Sequence, residues 1–289
     1  MYQIDSSGSV AIQPTPAAAG TSGFFTNGNP ATATPATVLD GDFFNALMME
    51  LVNIVTAAGL TPTKGTNNQV LAAIPAITPG RLLNIQTFSA TRAYTPTAGT
   101  KNCRATVVGA GASGGGAAVT TSAQVAVGAG GGAGAMAQGY FSVSALSGQT
   151  VTIGVGGAAA SANGNNGGTS SIGSVISAAG GTGGSVGAAG TAPLVSGGGT
   201  GGTTIVGANV SSGLGGQGTA GIALALSNLV SGTGGQSYLS GGGAGRITAG
   251  VGNNGGPGSG GSGAAASAGN GPFASGPGMD GIVIIEEFA

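Results

Sequence analysis

Charge is the scarcest property of this chain: only 4% of its 289 residues are Asp, Glu, Lys or Arg, against about 25% in an ordinary globular domain. Six Lys+Arg against seven Asp+Glu leave a net charge of -1. That is too little positive charge to neutralise a phosphate backbone, which excludes nucleic acid as a partner. His and Trp are absent and Cys103 is the one cysteine, which rules out an internal disulfide framework and a Cys/His zinc cluster; no metal is expected. Mean hydropathy is +0.35, yet no window approaches the roughly 20 unbroken apolar residues of a spanning helix. The longest apolar patch, Ile222 to Val230, is too short and contains Ser227 and Asn228. Residues 1–10 show no basic patch leading into an apolar run, so no secretory signal is expected.

Catalytic parts are equally scarce. General acid–base work needs positioned His, Asp, Glu or Lys, and between Arg104 and Arg246 the ionisable side chains are Tyr140 and Tyr238. Asp280, Glu286 and Glu287 lie in or beside the last strand, where adjacent Glu286 and Glu287 point to opposite faces and cannot form the carboxylate pair of a polysaccharide-cleaving enzyme. They read as solvated or subunit-contact charges. No enzyme activity and no cofactor are expected. Ala105-Thr106-Val107-Val108 followed by Gly109-Ala110-Gly111-Ala112-Ser113-Gly114 matches a strand running into G-x-G-x-x-G. However, no amphipathic helix follows and no acid appears until Asp280 to hold a ribose, so dinucleotide binding is rejected.

What the chain has in excess is glycine. Nine of its 65 glycines fall in residues 1–100 and 56 in the last 189, so it is a composite, with a boundary at residues 78–84 around Thr78-Pro79-Gly80. Residues 1–38 carry Pro14, Pro16, Pro30 and Pro35 and read as an extended arm. Its apolar anchors Tyr2, Ile4, Val10, Ile12, Phe24 and Phe25 suit docking on another protein. Residues 40–58 read as a helix capped by Asp40 or Asp42 and stopped at Gly59. Phe44, Met48, Leu51, Val55 and Ala58 are spaced 4, 3, 4, 3, a coiled-coil seam that favours self-association, most simply a trimer, over packing within its own small domain. A second short helix spans 67–74.

From Leu82 onward strands alternate: 83–88, 103–108, 140–146, 150–155, 171–177 and 281–288. The fold class is mainly β, a small sandwich with a long excursion from about 178 to 280. Within it, Gly181, Gly184, Gly187 and Gly190, and again Gly252, Gly255, Gly258 and Gly261, keep a local three-residue register. Four prolines, Pro193, Pro257, Pro272 and Pro277, are too few for collagen, and Ile205, Val206, Leu214, Ile222, Leu224, Leu226, Leu229 and Val230 do not belong in a flexible linker. Packed polyglycine II helices or glycine-turned hairpins remain, with disorder as the alternative.

Residues 38–51, VLDGDFFNALMMEL, followed by AAGLTP at 57–62 and NNQVLAAI at 67–74, resemble the amino-terminal module of tailed-bacteriophage tail fibres. The glycine-rich remainder, through TVVGAG at 106–111, GGTSSIG at 167–173, SAAGG at 177–181 and GIVIIE at 281–286, is similar to the glycine-rich domain that ends many such fibres. The resemblance implies a virion protein fastened to tail or baseplate proteins by its amino end and touching the host at the other. The expected organisation is therefore an attachment arm at 1–38, a helical trimerisation module at 39–80 and a glycine-rich β-sandwich tip at 81–289. Receptor contact, with a glycan, pilus or outer-membrane protein, is expected from Tyr238, Leu239, Arg246, Asn253, Asn254 and Phe273. The alternatives are a structural or ice-binding glycine-rich protein and, disfavoured by its few carboxylates, a polysaccharide-degrading spike.

Overall fold

The computed structural model describes residues 2–289. The chain is mainly β and forms two compact units, one ending at Arg81 and one running from Leu82 to Ala289. In the first, α1 (Gly41–Ala57) starts where Asp40 accepts a hydrogen bond from the Phe43 amide at 2.9 Å, filling one of the orphan donors of a helix start. α2 (Gln69–Ile77) packs on α1. The turn between them is clamped by Gln69, which accepts from Thr63 N at 3.0 Å and donates to Thr61 O at 2.8 Å. The pair buries Val52, Val55 and Ala73 but leaves Phe43, Phe44 and Leu47 of α1 and Leu71, Ile74 and Ile77 of α2 exposed.

Among its described residues the arm lacks regular structure apart from a short 3₁₀ turn at Pro30–Thr32. It folds back on its own unit. Ala17 N donates to Asp42 at 2.9 Å, Lys64 pairs with Asp5, and Phe25 meets Phe43 edge to face with ring centroids 5.1 Å apart.

The second unit begins with β1 (Leu82–Phe88), β2 (Arg92–Ala93) and β3 (Asn102–Val108), then β4 (Ala126–Val127) and β5 (Met136–Ser142). A single helical turn, α3 (Val143–Leu146), leads to β6 (Thr150–Thr152), β7 (Ser170–Ile172) and β8 (Ile176–Ala178). The glycine-rich stretch contains β9 (Leu194–Ser196), β10 (Ile205–Val206), β11 (Ser211–Gly213), β12 (Gly221–Ala225), β13 (Asn228–Val230) and β14 (Ala265–Ala266), and β15 (Ile282–Phe288) closes the unit. Two five-stranded antiparallel sheets, ordered β1-β15-β3-β5-β11 and β10-β8-β7-β6-β2, enclose one core. Phe88, Cys103, Val107 and Ile285 from the first side meet Val151, Ile172, Ile176 and Ala178 from the second, with Tyr94 of the connecting segment between them.

Two strand expectations are corrected. Residues 171–177 are not one strand but the hairpin β7–β8, turned at Gly173 with φ 50°, a conformation glycine reaches without a Cβ clash. The strand expected at 140–146 instead spans Met136–Ser142, and α3 takes up the rest.

Beyond the sandwich the chain forms a bundle of extended glycine-rich rods. Residues 109–117 show its rule: N–H groups three residues apart donate to the same neighbour. Gly109, Ala112 and Gly115 donate to Ala135, Gly132 and Ala129; Ala110, Ser113 and Gly116 to Gly168, Asn165 and Ala162; Gly111, Gly114 and Ala117 to Met279, Gly276 and Phe273. Its carbonyls accept from three further neighbours, at Gly157, at Gly181, Gly184 and Gly187, and at Gly261 and Ala264. Three residues per turn, with bonds between rather than within strands, is polyglycine II geometry. A second rod, 128–135, is surrounded in the same way by residues 109–115, 179–185, 199–202, 216–219, 232–235 and 258–264.

Glycine is needed here for approach and not for turning. A Cβ on Gly115 or Gly130 would overlap the carbonyl oxygen of Ser185 or Thr233, and neither residue has a positive φ. Buried serines supply further acceptors beside the backbone ladder: Ser113 Oγ takes the Asn165 amide and Ser262 Oγ the Asn253 amide, both at 2.8 Å. The bundle therefore includes residues 109–117 and 128–135, which precede the expected excursion, as well as the excursion after 178. That excursion also returns to the sandwich midway, through β10 on β8 and β11 on β5.

Candidate functional site

The rods have two ends. Residue 109 follows β3 and residue 135 precedes β5, so 109 and 135 mark the sandwich end, and 117 and 128 the far end. The far end is closed by a three-stranded sheet, β13-β12-β9, and by the β14–β4 pair. β12 reads Gly-Ile-Ala-Leu-Ala, and its alternation gives the sheet two faces. Ala223 and Leu229 turn inward onto Val125, Val127 and Ala265. On the other face, Ile222 sits in register with Val230 on one side and Val195 on the other, and all three are exposed together with Leu224.

The six residues expected at the receptor surface do not come together. Arg246 lies toward the far end, where its carbonyl accepts from the Ser231 amide at 2.8 Å and its Nε donates to Val251 O at 2.7 Å. Phe273 is also there, half-buried beside Ala117, with which it exchanges backbone hydrogen bonds. Tyr238 and Leu239 are exposed but sit on the turn Ser237–Ser240 at the sandwich end, where Ser237 Oγ donates to Pro257 O at 2.7 Å. The ladder positions of the two groups differ by about six rod residues, or roughly 19 Å at 3.1 Å per residue. Asn253 is half-buried, and its side chain donates to Ala244 O at 2.8 Å, a tie matched by Asn165 on Ala158. Asn254 is exposed and directs its amide toward Met279 Sδ at 3.9 Å.

Of the expected self-association seam, Val55 is buried within its own unit, Met48, Leu51 and Ala58 are half-buried, and Phe44 is exposed. Of the arm anchors, Tyr2, Ile4, Val10, Ile12, Phe24 and Phe25 are all exposed, Phe24 almost completely at 99%. Ile4 and Val10 line a cleft with Met48, Met49 and Val52.

The charged pair at 286 and 287 splits as strand geometry requires, but the expectation that both are solvated or subunit-contact charges is corrected for Glu287. Glu286 faces outward and pairs with Arg104, whose guanidinium is thereby held above its ordinary range. Glu287 is fully buried. It accepts from Tyr94 Oη at 2.6 Å, Gln86 Nε2 at 3.0 Å and Thr97 N at 3.1 Å, and from the Thr97 hydroxyl. Burial opposes its ionisation, but these donors outweigh burial and hold the carboxyl below its usual range. Nothing in the sequence distinguishes Glu286 from Glu287; only the strand phase, fixed by which of Val283 and Ile284 faces the core, tells them apart.

Among the described residues no group of three His, Cys, Asp or Glu side chains comes together, and no helix is long and apolar enough to cross a membrane. The chain is 49% identical over 53 residues, 18% of its length, to "Uncharacterized protein StfP" of Escherichia coli (strain K12), and spans a quarter of that relative. The glycine-rich domain family model matches residues 86–287. This match runs from within β1 to β15 and takes in the whole rod bundle, and the chain belongs to the glycine-rich domain family.

Proposed function

We propose that this is a bacteriophage tail-fibre or tail-tip protein. In this reading the arm and helical unit attach it to tail or baseplate proteins as a homotrimer, and the glycine-rich unit binds a host-cell surface receptor. One observation carries the reading: the rods hold their loops on a backbone lattice that side chains would obstruct, so the far end is presented rigidly. A preorganised surface loses less ordering entropy on contact, and its loops can vary without rebuilding the scaffold. The resemblance of residues 38–74 to the fibre module supports the attachment role. The exposed apolar residues of α1 and α2 suit burial between copies. In this reading receptor contact lies at the far end, on Val195, Ile222, Leu224 and Val230, with Arg246 tied to Ser231 next to Val230 and Phe273 elsewhere on the same end, and Tyr238, Leu239 and Asn254 form a separate lateral candidate.

Adsorption of particles to susceptible cells tests this. Ile222→Ser combined with Val195→Ser should lower the adsorption rate at least tenfold with oligomer yield unchanged, whereas Tyr238→Ala should have a smaller effect. Wild-type adsorption by both variants would overturn the receptor assignment. A second reading, ice binding, draws on the paired threonine hydroxyls Thr182–Thr200 and Thr219–Thr233, 2.9 and 3.0 Å apart and exposed. It requires thermal hysteresis from the full chain.

A further inference from the structure

Glu287 is the acidic residue that the described structure buries, and it does so without a cation. The ion pairs among the described residues are Lys64–Asp5 and Arg104–Glu286. Glu287 points from β15 into the sandwich core, opposite Cys103 in register. Two of its donor residues, Tyr94 and Thr97, belong to the segment between β2 and β3, where the chain crosses from one sheet to the other. The crossing is also tied by Tyr94 N to Gln149 O, Gly148 N to Tyr94 O, Gln86 Nε2 to Thr95 O, Asn84 Nδ2 to Thr97 Oγ1, Thr100 N and Oγ1 to Thr97 O, and Lys101 N to Phe288 O. Thr97 is itself exposed. The carboxylate therefore clasps a surface segment to the core from beneath.

The groups around it are accounted for on every side. Burial pushes the Tyr94 hydroxyl and the Cys103 thiol, 3.3 Å apart, upward and away from the acid range. Gln86 is neutral. Arg104 and Glu286 occupy the opposite face of the sheet, Arg92 lies over the Phe88 ring at 4.4 Å, and Lys101 is exposed. Glu287 is the buried group left to titrate in acid.

We propose that Glu287 is an acid-released clasp: ionised, it holds residues 94–100 across the edge of the sandwich, and protonation lets them go. A protonated carboxyl turns one acceptor oxygen into a donor. It would then confront the Tyr94 and Thr97 donors with fewer lone pairs than they need, leaving buried polar groups unpaired. The folded-state titration lies below the unfolded one, so the stabilisation is complete above the ordinary carboxylate value of about 4.3 and is lost as pH falls through the lower folded value.

Amide exchange on the full chain between pH 6 and pH 2.5, expressed as protection against the random-coil rate at each pH, tests the clasp. Protection at Thr97 should fall at least tenfold on the acid side and return at pH 6, while Ala105 in β3 stays protected. Glu287→Gln should lose Thr97 protection already at pH 6 and show no acid step. Glu286→Gln, which alters only the outer face, should keep the wild-type profile. A flat Thr97 profile in the wild type, or an acid step that survives in Glu287→Gln or disappears in Glu286→Gln, would overturn the proposal. If Glu287→Gln does not fold, the wild-type and Glu286→Gln profiles decide.

Discussion

Between the two sheets of the sandwich the buried space is filled by Phe88, Ile172, Ile176 and Ile285; inside the rod bundle, residues 109–117 and 128–135 contain only Gly, Ala and Ser. Both regions satisfy their backbone groups between neighbouring strands, as buried N–H and C=O groups require. They differ in what fixes the spacing. In the sandwich, side chains set the gap and apolar burial stabilises it. In the bundle, removing side chains lets carbonyls and amides of six neighbours meet, and the restraint is steric at each glycine. The sandwich should thus tolerate volume-conserving exchange, whereas the bundle should tolerate almost none at its central rods and much at its loops.

The largest effect should come from the bundle itself. Gly130→Ala places a methyl group on the Thr233 carbonyl, from which backbone cannot retreat, and is expected to destabilise by about 3 kcal/mol or more. Gly241→Ala, where a Cβ meets nothing within 4 Å, should stay within about 0.5 kcal/mol; denaturant unfolding of the two variants compares them. Equal behaviour would break the contrast between regions. Next is the sandwich, where Ile285→Ala should lower stability by about 2–5 kcal/mol but Ile285→Val by only about 1 kcal/mol. Ser262→Ala leaves the Asn253 amide without its acceptor and should lower stability by about 1–3 kcal/mol, read as lost exchange protection at Asn253. Apart from the Gly241→Ala control, the smallest effect is that of Glu286→Gln, which opens the partly exposed pair with Arg104 and should change stability by less than about 1 kcal/mol.

The same contrast explains what could be read in advance. Asp40 as the helix cap, the helix to Ala57 and the strands β1, β3 and β15 follow from local signals: a capping side chain, alternation, and a continuous apolar run. The outer rod carrying Gly181, Gly184 and Gly187 meets both central rods but is visible because part of it reaches the surface, where Thr182 is exposed and Val186 half-buried and side chains are free to differ. The central rods are invisible for the opposite reason. With all three faces packed, every position is small and the period vanishes, so residues 109–114 mimic a dinucleotide loop. The candidate surface was legible only in part. Ile222, Leu224 and Val230 stand out from a glycine background, but their joint exposure with Val195 depends on a strand register set by contacts far apart in sequence. The positions of Tyr238 and Arg246 depend on how many rod residues separate each from the sandwich, which no local pattern encodes.

The central claim is that the glycine rods are a rigid lattice held by inter-rod hydrogen bonds. Residue-resolved amide exchange on the assembled protein at neutral pH tests it most directly. Amides at 110–116 and 129–134 should be protected as strongly as those of β3 and β15, far above Gly8 and Gly20 in the arm; exchange at the rate of an unstructured chain in those rods would contradict it.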